Sequence, residues 1–293
     1  MNKKYRYSEI FRSIQGEGNY TGRPTIWYRA WGCNFNCNGF GQKDPSDSST
    51  WILPYEHIDV GNIKRIEDLP VFEFGCDSSY SWAKKFSHLA HHETVEKICA
   101  KLRSFLPNGK FTSDAIDGQK WHMAFTGGEP MMSQSAISDI MRHFKYEGDI
   151  PLYVTVETNG TQQVRDNFID VFTNKGLFDG ELFWSCSPKL SASGESWNRA
   201  INPKVLAAYN TISKNGQLKY VVDGTEKCWD EVKRATELYR EAGVKWPVWI
   251  MPVGATLEEQ EDIQAKIADQ ALDRGYNVSA RLHCWIWGNK IGT

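Results

Sequence analysis

The chain has 293 residues, 41% of them hydrophobic and 13% aromatic, with a formal net charge of −2. This is enough apolar chain to bury a substantial core, and too much for a disordered protein. The near-neutral balance gives no basis for nucleic-acid binding, and the polar start Met1-Asn2-Lys3-Lys4-Tyr5 shows neither a signal peptide nor a membrane span. Seven cysteines (Cys33, Cys37, Cys76, Cys99, Cys186, Cys228 and Cys284) are an odd number at irregular spacing. That argues against a disulfide framework and for a reducing cytoplasm, where thiolates hold metal or do chemistry.

In chain order, the run Glu9-Ile10-Phe11-Arg12-Ser13-Ile14-Gln15-Gly16-Glu17-Gly18 precedes a strand expected at Thr25–Trp31. That strand ends at Gly32-Cys33-Asn34-Phe35-Asn36-Cys37, two cysteines four apart in a tight loop suited to a soft metal. A compact CxxxCxxC motif would place its third cysteine at position 40, which is Phe40. Taken alone, the pair has a lesser competing reading as two buried structural cysteines. Residues 38–75 carry Gly41, Pro45, Pro54 and Pro70 with weak periodicity, and read as an insertion with one short helix near Asn62–Asp68. Cysteine returns in Gly75-Cys76-Asp77-Ser78-Ser79-Tyr80-Ser81-Trp82.

The pair His91-His92 reads as a solvated terminus before a helix at Thr94–Leu106, whose Val95, Ile98, Cys99, Leu102 and Phe105 share one face. Lys110–Lys120 is a polar connection. Strands are then expected at Trp121–Thr126, Leu152–Thr158, Leu182–Ser187, Gln217–Val222, Val248–Val253 and Val278–Trp285. Helical patterns at Gln134–Lys145, Glu226–Ala242 and Leu257–Arg274 fall between them, the last opened by a Thr256/Glu259 capping box. Strands alternating with helices imply a parallel sheet with right-handed crossovers. Seven such strands in an α/β chain suit an incomplete (β/α) barrel, as one domain over 1–293, with its chemistry at the C-terminal rim of the strands.

Polar motifs stand at those rims. Thr126-Gly127-Gly128-Glu129-Pro130 can grip an amino acid's ammonium and carboxylate through free backbone groups and an acid, though a glycine pair alone is an ordinary turn. Glu157-Thr158-Asn159-Gly160 and Ser187-Pro188-Lys189 each count for little alone, but successive strand ends converge in such a fold. Cys99 and Cys228 fall on helix faces and read as core, as most tryptophans (Trp249 and Trp285 among them) read as strand packing. Cys186 adjoins the Ser-Pro-Lys run.

Together these runs resemble the 7-carboxy-7-deazaguanine synthases, a family of radical enzymes that use S-adenosylmethionine (SAM), with 38–75 inserted between the second and third cysteines. The resemblance implies a radical-SAM-type barrel and a [4Fe–4S] cluster on Cys33, Cys37 and Cys76. Three thiolates leave one iron of a cubane open, whereas structural zinc wants four protein ligands. It further implies SAM contacts from Gly127, Gly128, Glu129, Glu157, Asn159, Ser187 and Lys189. Substrate contacts would come from Ile14, Gln15, Gly16, Arg29, Thr126 and the C-terminal Thr293, with Mg²⁺ on the Ser78 hydroxyl.

No side chain is expected to be catalytic beyond the cluster and SAM. The implied reaction is conversion of 6-carboxy-5,6,7,8-tetrahydropterin to 7-carboxy-7-deazaguanine with loss of ammonia, a carbon–nitrogen lyase step of queuosine-type 7-deazaguanine biosynthesis. The implied partners are the small-molecule pterin, an electron donor such as flavodoxin or ferredoxin and, as one option, a second copy in a homodimer. Nucleic acid and membrane are not among them. The alternatives are a radical SAM enzyme on another substrate, such as a glycyl-radical activase, and a non-catalytic cluster- or zinc-binding protein.

Overall fold

The chain enters the sheet through β1 (Lys4–Ile14), which pairs antiparallel with β2 (Pro24–Ala30) and with the short β3 (His91–Thr94). The computed structural model describes residues 3–111 and 120–293, so positions 112–119 of the polar connection read at 110–120 lie outside the described residues. From β2 onward every pairing is parallel: β4 (His122–Gly127), β5 (Tyr153–Thr158), β6 (Glu181–Cys186), β7 (Gly216–Val222), β8 (Val248–Pro252) and β9 (Asn277–Val278). The order is β3-β1-β2-β4-β5-β6-β7-β8-β9, with β3 and β9 as unjoined edges, so the barrel is incomplete.

The helices follow in sequence: α1 (Pro54–His57), α2 (Val95–Ser104), α3 (Gln134–Tyr146), α4 (Asp166–Thr173), α5 (Trp197–Ala200), α6 (Pro203–Ile212), α7 (Glu226–Glu241), α8 (Leu257–Asp273) and α9 (Leu282–Trp287). The Thr256/Glu259 capping box opens α8 as the spacing predicts. None of the described helices is long and apolar enough to cross a membrane.

Strand alternation sorts the side chains into two environments. Met123, Phe125, Val154, Val156, Leu218 and Tyr220 point outward and pack beneath Ile98, Cys99, Leu102, Ile137, Phe144, Phe168 and Val232 of the helices. Phe144 is fully buried, its ring 5.0 Å from Phe111. Phe144→Ala should therefore lower the unfolding free energy by about 3–5 kcal/mol, read by chemical denaturation. Cys186 and Cys228 lie in the same core.

The opposite face of the strands lines the barrel interior. At its floor His122 is stacked on Tyr153 at 4.8 Å and meets Tyr20 edge-on. Burial pushes its imidazole down to about 4, with Arg23 adding to the effect. The unfolded chain would then bind a proton below about pH 6.5 that the folded one refuses, so stability falls with pH from there to about 4. One such group contributes a slope of at most about 1.4 kcal/mol per pH unit. Denaturation at stepped pH should show this slope, and His122→Phe should flatten it.

Residues 38–75 join a second apolar cluster, separate from the main core. Tyr55, Ile66, Leu69 and Phe72 pack with Tyr80, Ala83, Phe86, Leu89 and, from the far end of the chain, Ile291. The helix expected near Asn62–Asp68 is one 3-10 turn at Ile66–Asp68, and α1 was not expected.

Two other expectations are corrected. His91 and His92 are exposed just ahead of α2 as expected, but they stand in a strand, β3, opposite Tyr7 and Arg6, because the edge of β1 offers backbone partners. The strand expected at Val278–Trp285 ends at Val278, and Leu282–Trp287 is helix. Its aromatic and β-branched run reads as strand, yet the Leu282 amide is drawn off to the Gly16 carbonyl (2.9 Å). Trp285 is 57% exposed on α9 and packs in no sheet.

Candidate active site

The cysteine loop is pinned by the strands around it. Beyond β2, the Gly32 amide donates to Ser81 O (2.8 Å), and the Glu129 amide beyond β4 donates to Gly32 O (2.9 Å). Cys37 holds φ +51°, a left-handed conformation rare outside glycine, while the Asn36 and Cys37 amides both donate to Glu195 Oε1 at 2.9 and 3.1 Å. The Gly75 amide donates to Phe40 O (2.8 Å), closing residues 41–74 into a loop whose ends meet. This returns Cys76 to the first two cysteines. Cys33, Cys37 and Cys76 line one cavity, all free thiols, in a small apolar cluster with Phe35, Phe40 and Ala200.

Burial pushes all three thiols up, Cys33 to about 12, and each of Cys33 and Cys37 also feels the charge of Cys76. Desolvated thiols grouped in this way deprotonate when a soft cationic centre takes them. Among the described residues no three His, Cys, Asp or Glu side chains converge on a single metal ion. A cubane takes each thiolate on a separate iron, so three thiols around one cavity fit it without sharing an ion.

The glycine pair after β4 makes the close approach to this loop feasible. Gly127 sits at φ +134° against the Ala30 backbone, and a Cβ on Gly128 would collide with Gly32 O and the Cys33 side chain. Both line the cavity, as do Ile14, Gln15, Gly16, Arg29, Ser78, Thr126, Glu157, Asn159, Ser187, Lys189 and Thr293.

Glu129 does not. Its carboxylate is fully buried behind the wall, accepting from Met131 N (2.9 Å), Thr158 Oγ1 (2.7 Å) and Asn159 N (2.7 Å). Those bonds take three of the roughly four acceptor positions, so the acid expected to grip a ligand also ties the end of β4 to the end of β5 and does not line the cavity. Glu129→Ala would leave three buried donors unmatched, and should cost about 3–5 kcal/mol of stability by denaturation, more than a lost ligand contact would.

On the β5–β6 side, Glu157 accepts from Gln15 Nε2 (3.2 Å) and Thr126 Oγ1 (3.1 Å), and Asn159 Nδ2 donates to Asn34 Oδ1 (3.0 Å). Lys189 Nζ lies 3.0 Å from Ser187 Oγ and 5.8 Å from the Phe40 ring centre. Across the cavity Arg29 Nε is 2.6 Å from Glu9 Oε1 and its Nη1 is 3.3 Å from Ser78 Oγ, while the Tyr80 hydroxyl donates to the same Glu9 oxygen (3.2 Å).

The sequence reading missed a quartet of charges. Glu17 pairs with Lys219 and, at 3.0 Å, with Arg281 Nε, and Arg281 Nη2 reaches Asp77 Oδ2 at 2.7 Å. Burial alone would raise the Glu17 carboxyl, but Lys219 and Arg281 outweigh it and hold it below the usual range. His283 lies against Gly16, where any Cβ would strike its ring, and burial pushes it down to about 4, so it is neutral at pH 7. The signal for the quartet was available: Lys219 and Gln217 are polar at alternate positions of an otherwise apolar strand.

An incomplete parallel barrel with three thiols, a glycine pair and polar strand ends around one mouth is the arrangement expected from the resemblance to radical SAM enzymes. The described chain aligns with QueE from Escherichia coli over 96% of its length and 95% of that chain, with a TM-score of 0.53 at 19% identity, a likeness of fold. No protein-family model matches the chain. Curated relatives named 7-carboxy-7-deazaguanine synthase do: 26% identity with that of Pyrobaculum aerophilum (99% of this chain, 97% of the relative) and 27% with that of Halobacterium salinarum (96% and 90%). The protein of the same name from Rhodopirellula baltica is 26% identical over 98% of this chain and 88% of its own. Over nearly its whole length the chain is thus similar to proteins named 7-carboxy-7-deazaguanine synthase.

Proposed function

We propose that this chain is a radical SAM lyase converting 6-carboxy-5,6,7,8-tetrahydropterin to 7-carboxy-7-deazaguanine with loss of ammonia. The observation that carries the reading is the meeting of Cys76, distant in sequence, with Cys33, Cys37 and the strand-end motifs at one cavity, in a chain whose full-length relatives bear that name. The cluster on Cys33, Cys37 and Cys76, with SAM, supplies the radical chemistry when bound. The chain contributes position, charge matching and exclusion of water.

Gly127 and Gly128 would present backbone groups to the amino-acid end of SAM, with Glu157, Asn159, Ser187 and Lys189 completing its surround. Glu157 is already oriented by Gln15 and Thr126, so one carboxylate joins the SAM side to the substrate side. Ile14, Gln15, Gly16 and Thr126 would read the edge of the pterin. Arg29 keeps N–H groups beyond those given to Glu9 and Ser78, and these suit the substrate carboxylate. The hydroxyl of Ser78, beside the Asp77 carboxylate at 3.1 Å, offers Mg²⁺ a hard oxygen donor, with substrate and water completing its shell. Thr293, which lines the same cavity, would contact the substrate.

We read 1–293 as one domain with 38–75 inserted in the cluster loop, where Phe40, Gly41, Val71 and Glu73 narrow the mouth. A cytoplasmic enzyme reduced by flavodoxin or ferredoxin, able to pair as a homodimer, follows from the same reading.

Anaerobic reconstitution followed by reduction with SAM tests it. About four irons and four sulfides per chain and release of 5′-deoxyadenosine are expected for one cubane. A zinc-loaded chain that takes no iron, or a cluster that never cleaves SAM, would overturn it.

A further inference from the structure

Thirty-eight residues separate Cys37 from Cys76, so the covalent chain places only a weak constraint on where the third thiol stands. Contacts must do it. The residue after Cys76 is Asp77, whose Oδ2 lies 2.7 Å from Arg281 Nη2. The same guanidinium sets Nε 3.0 Å from Glu17 Oε1 and donates from Nη1 to Gly254 O at 3.1 Å. Its side chain is 7% exposed, and Glu17 is shared with Lys219. The network thus balances two carboxylates with two cations, with Arg281, Lys219 and Glu17 largely buried and Asp77 35% exposed.

We propose that Arg281 is a positioning residue that docks the Cys76 loop onto the closing end of the barrel through Asp77, and that it neutralises the carboxylate beside the third cluster thiol. The proposal rests on Cys76 being a cluster ligand. A planar guanidinium meets both carboxylates and a carbonyl at once, which a lysine cannot do. Without Arg281, Glu17 would keep Lys219 and Asp77 would keep only the weaker influence of Arg29, leaving a poorly compensated negative charge next to Cys76. A reduced cluster carries one more electron than an oxidised one, so such a charge lowers its reduction potential. Replacing Asp77 with a neutral amide removes that charge and raises the potential.

The test uses the anaerobically reconstituted full chain as wild type, Arg281→Gln, Arg281→Lys, Asp77→Asn and the double variant Arg281→Gln/Asp77→Asn. Two quantities are read: the midpoint potential from a dye-mediated titration followed by electron paramagnetic resonance, and the rate of iron loss to a chelator. Arg281→Gln should shift the midpoint negative and speed iron loss severalfold. Arg281→Lys should stay near the wild-type midpoint yet lose iron faster. Asp77→Asn should shift the midpoint positive, and the double variant should return it toward wild type while remaining chelator-sensitive.

Opposite shifts from the two single changes are a signature that a purely structural contact would not give. Wild-type midpoints in both would overturn the proposal, as would iron loss unchanged in all variants. Should Arg281→Gln fail to fold, Asp77→Asn decides alone, since it leaves the Arg281–Glu17 and Arg281–Gly254 contacts in place. A wild-type chain that takes no cluster, or a Cys76→Ala chain that keeps full iron, would instead defeat the reading of Cys76 beneath it.

Discussion

Cys76→Ala should abolish the cluster as thoroughly as Cys33→Ala does, while Cys99→Ala and Cys228→Ala retain full iron. The expectation follows from position. Cys33, Cys37 and Cys76 face one cavity, whereas Cys99 and Cys228 are sealed in the helix-side core. Two thiolates hold a cubane too loosely to survive desalting, so the loss should be near complete. Iron and sulfide counts after anaerobic reconstitution, with the visible absorbance of an iron–sulfur cluster, check it. Full iron in Cys76→Ala would mean that residues 38–75 do not lie between two ligands.

Arg29→Ala should lower kcat/KM for the carboxypterin by about 30- to 5,000-fold, the equivalent of the 2–5 kcal/mol typical for truncating a buried, hydrogen-bonded charge. Most of the loss should fall in KM, because the interaction with the carboxylate is made in the ground state as well as the transition state. Glu9, 5% exposed, would be left with only Tyr80, so some of the loss is the cost of an unpaired carboxylate. Arg29→Lys separates the two effects. It keeps the charge that Glu9 needs but loses the planar fork, and should remain well below wild type. Iron content and substrate-free SAM cleavage should be unchanged in both, since Arg29 touches no cysteine. A wild-type KM in Arg29→Ala would remove this residue from the substrate side.

The strand-end motifs were legible because topology does the gathering. A parallel barrel brings Gly32, Gly127, Glu157 and Ser187 to one rim whatever the loops between do, so their order along the chain was enough. Six of the seven parallel strands and the Ile98, Cys99, Leu102 helix face followed from periodicity in the same way. What failed depended on tertiary competition. The Trp285-Ile286-Trp287 run has strand composition, but it lies past the last pairing at Val278, and Gly288 at φ +65° ends it as a helix. Glu129 looked like a ligand-gripping acid, and only the positions of Thr158 and Asn159 reveal that its carboxylate is already largely occupied. The Glu17–Lys219–Arg281–Asp77 quartet joins four separate parts of the chain, so spacing alone does not expose it. Residues 38–75 showed weak periodicity because their core is borrowed: Phe86, Leu89 and Ile291 complete it from outside.

The most direct measurement of the central claim is an anaerobic turnover assay. Reconstituted full-length chain, SAM, Mg²⁺ and a low-potential reductant are incubated with 6-carboxy-5,6,7,8-tetrahydropterin, and products are resolved by mass. The expected products are 7-carboxy-7-deazaguanine and ammonia, formed only with the three cysteines intact. Cleavage of SAM without any change in the pterin, by a chain holding a full cluster, would contradict it.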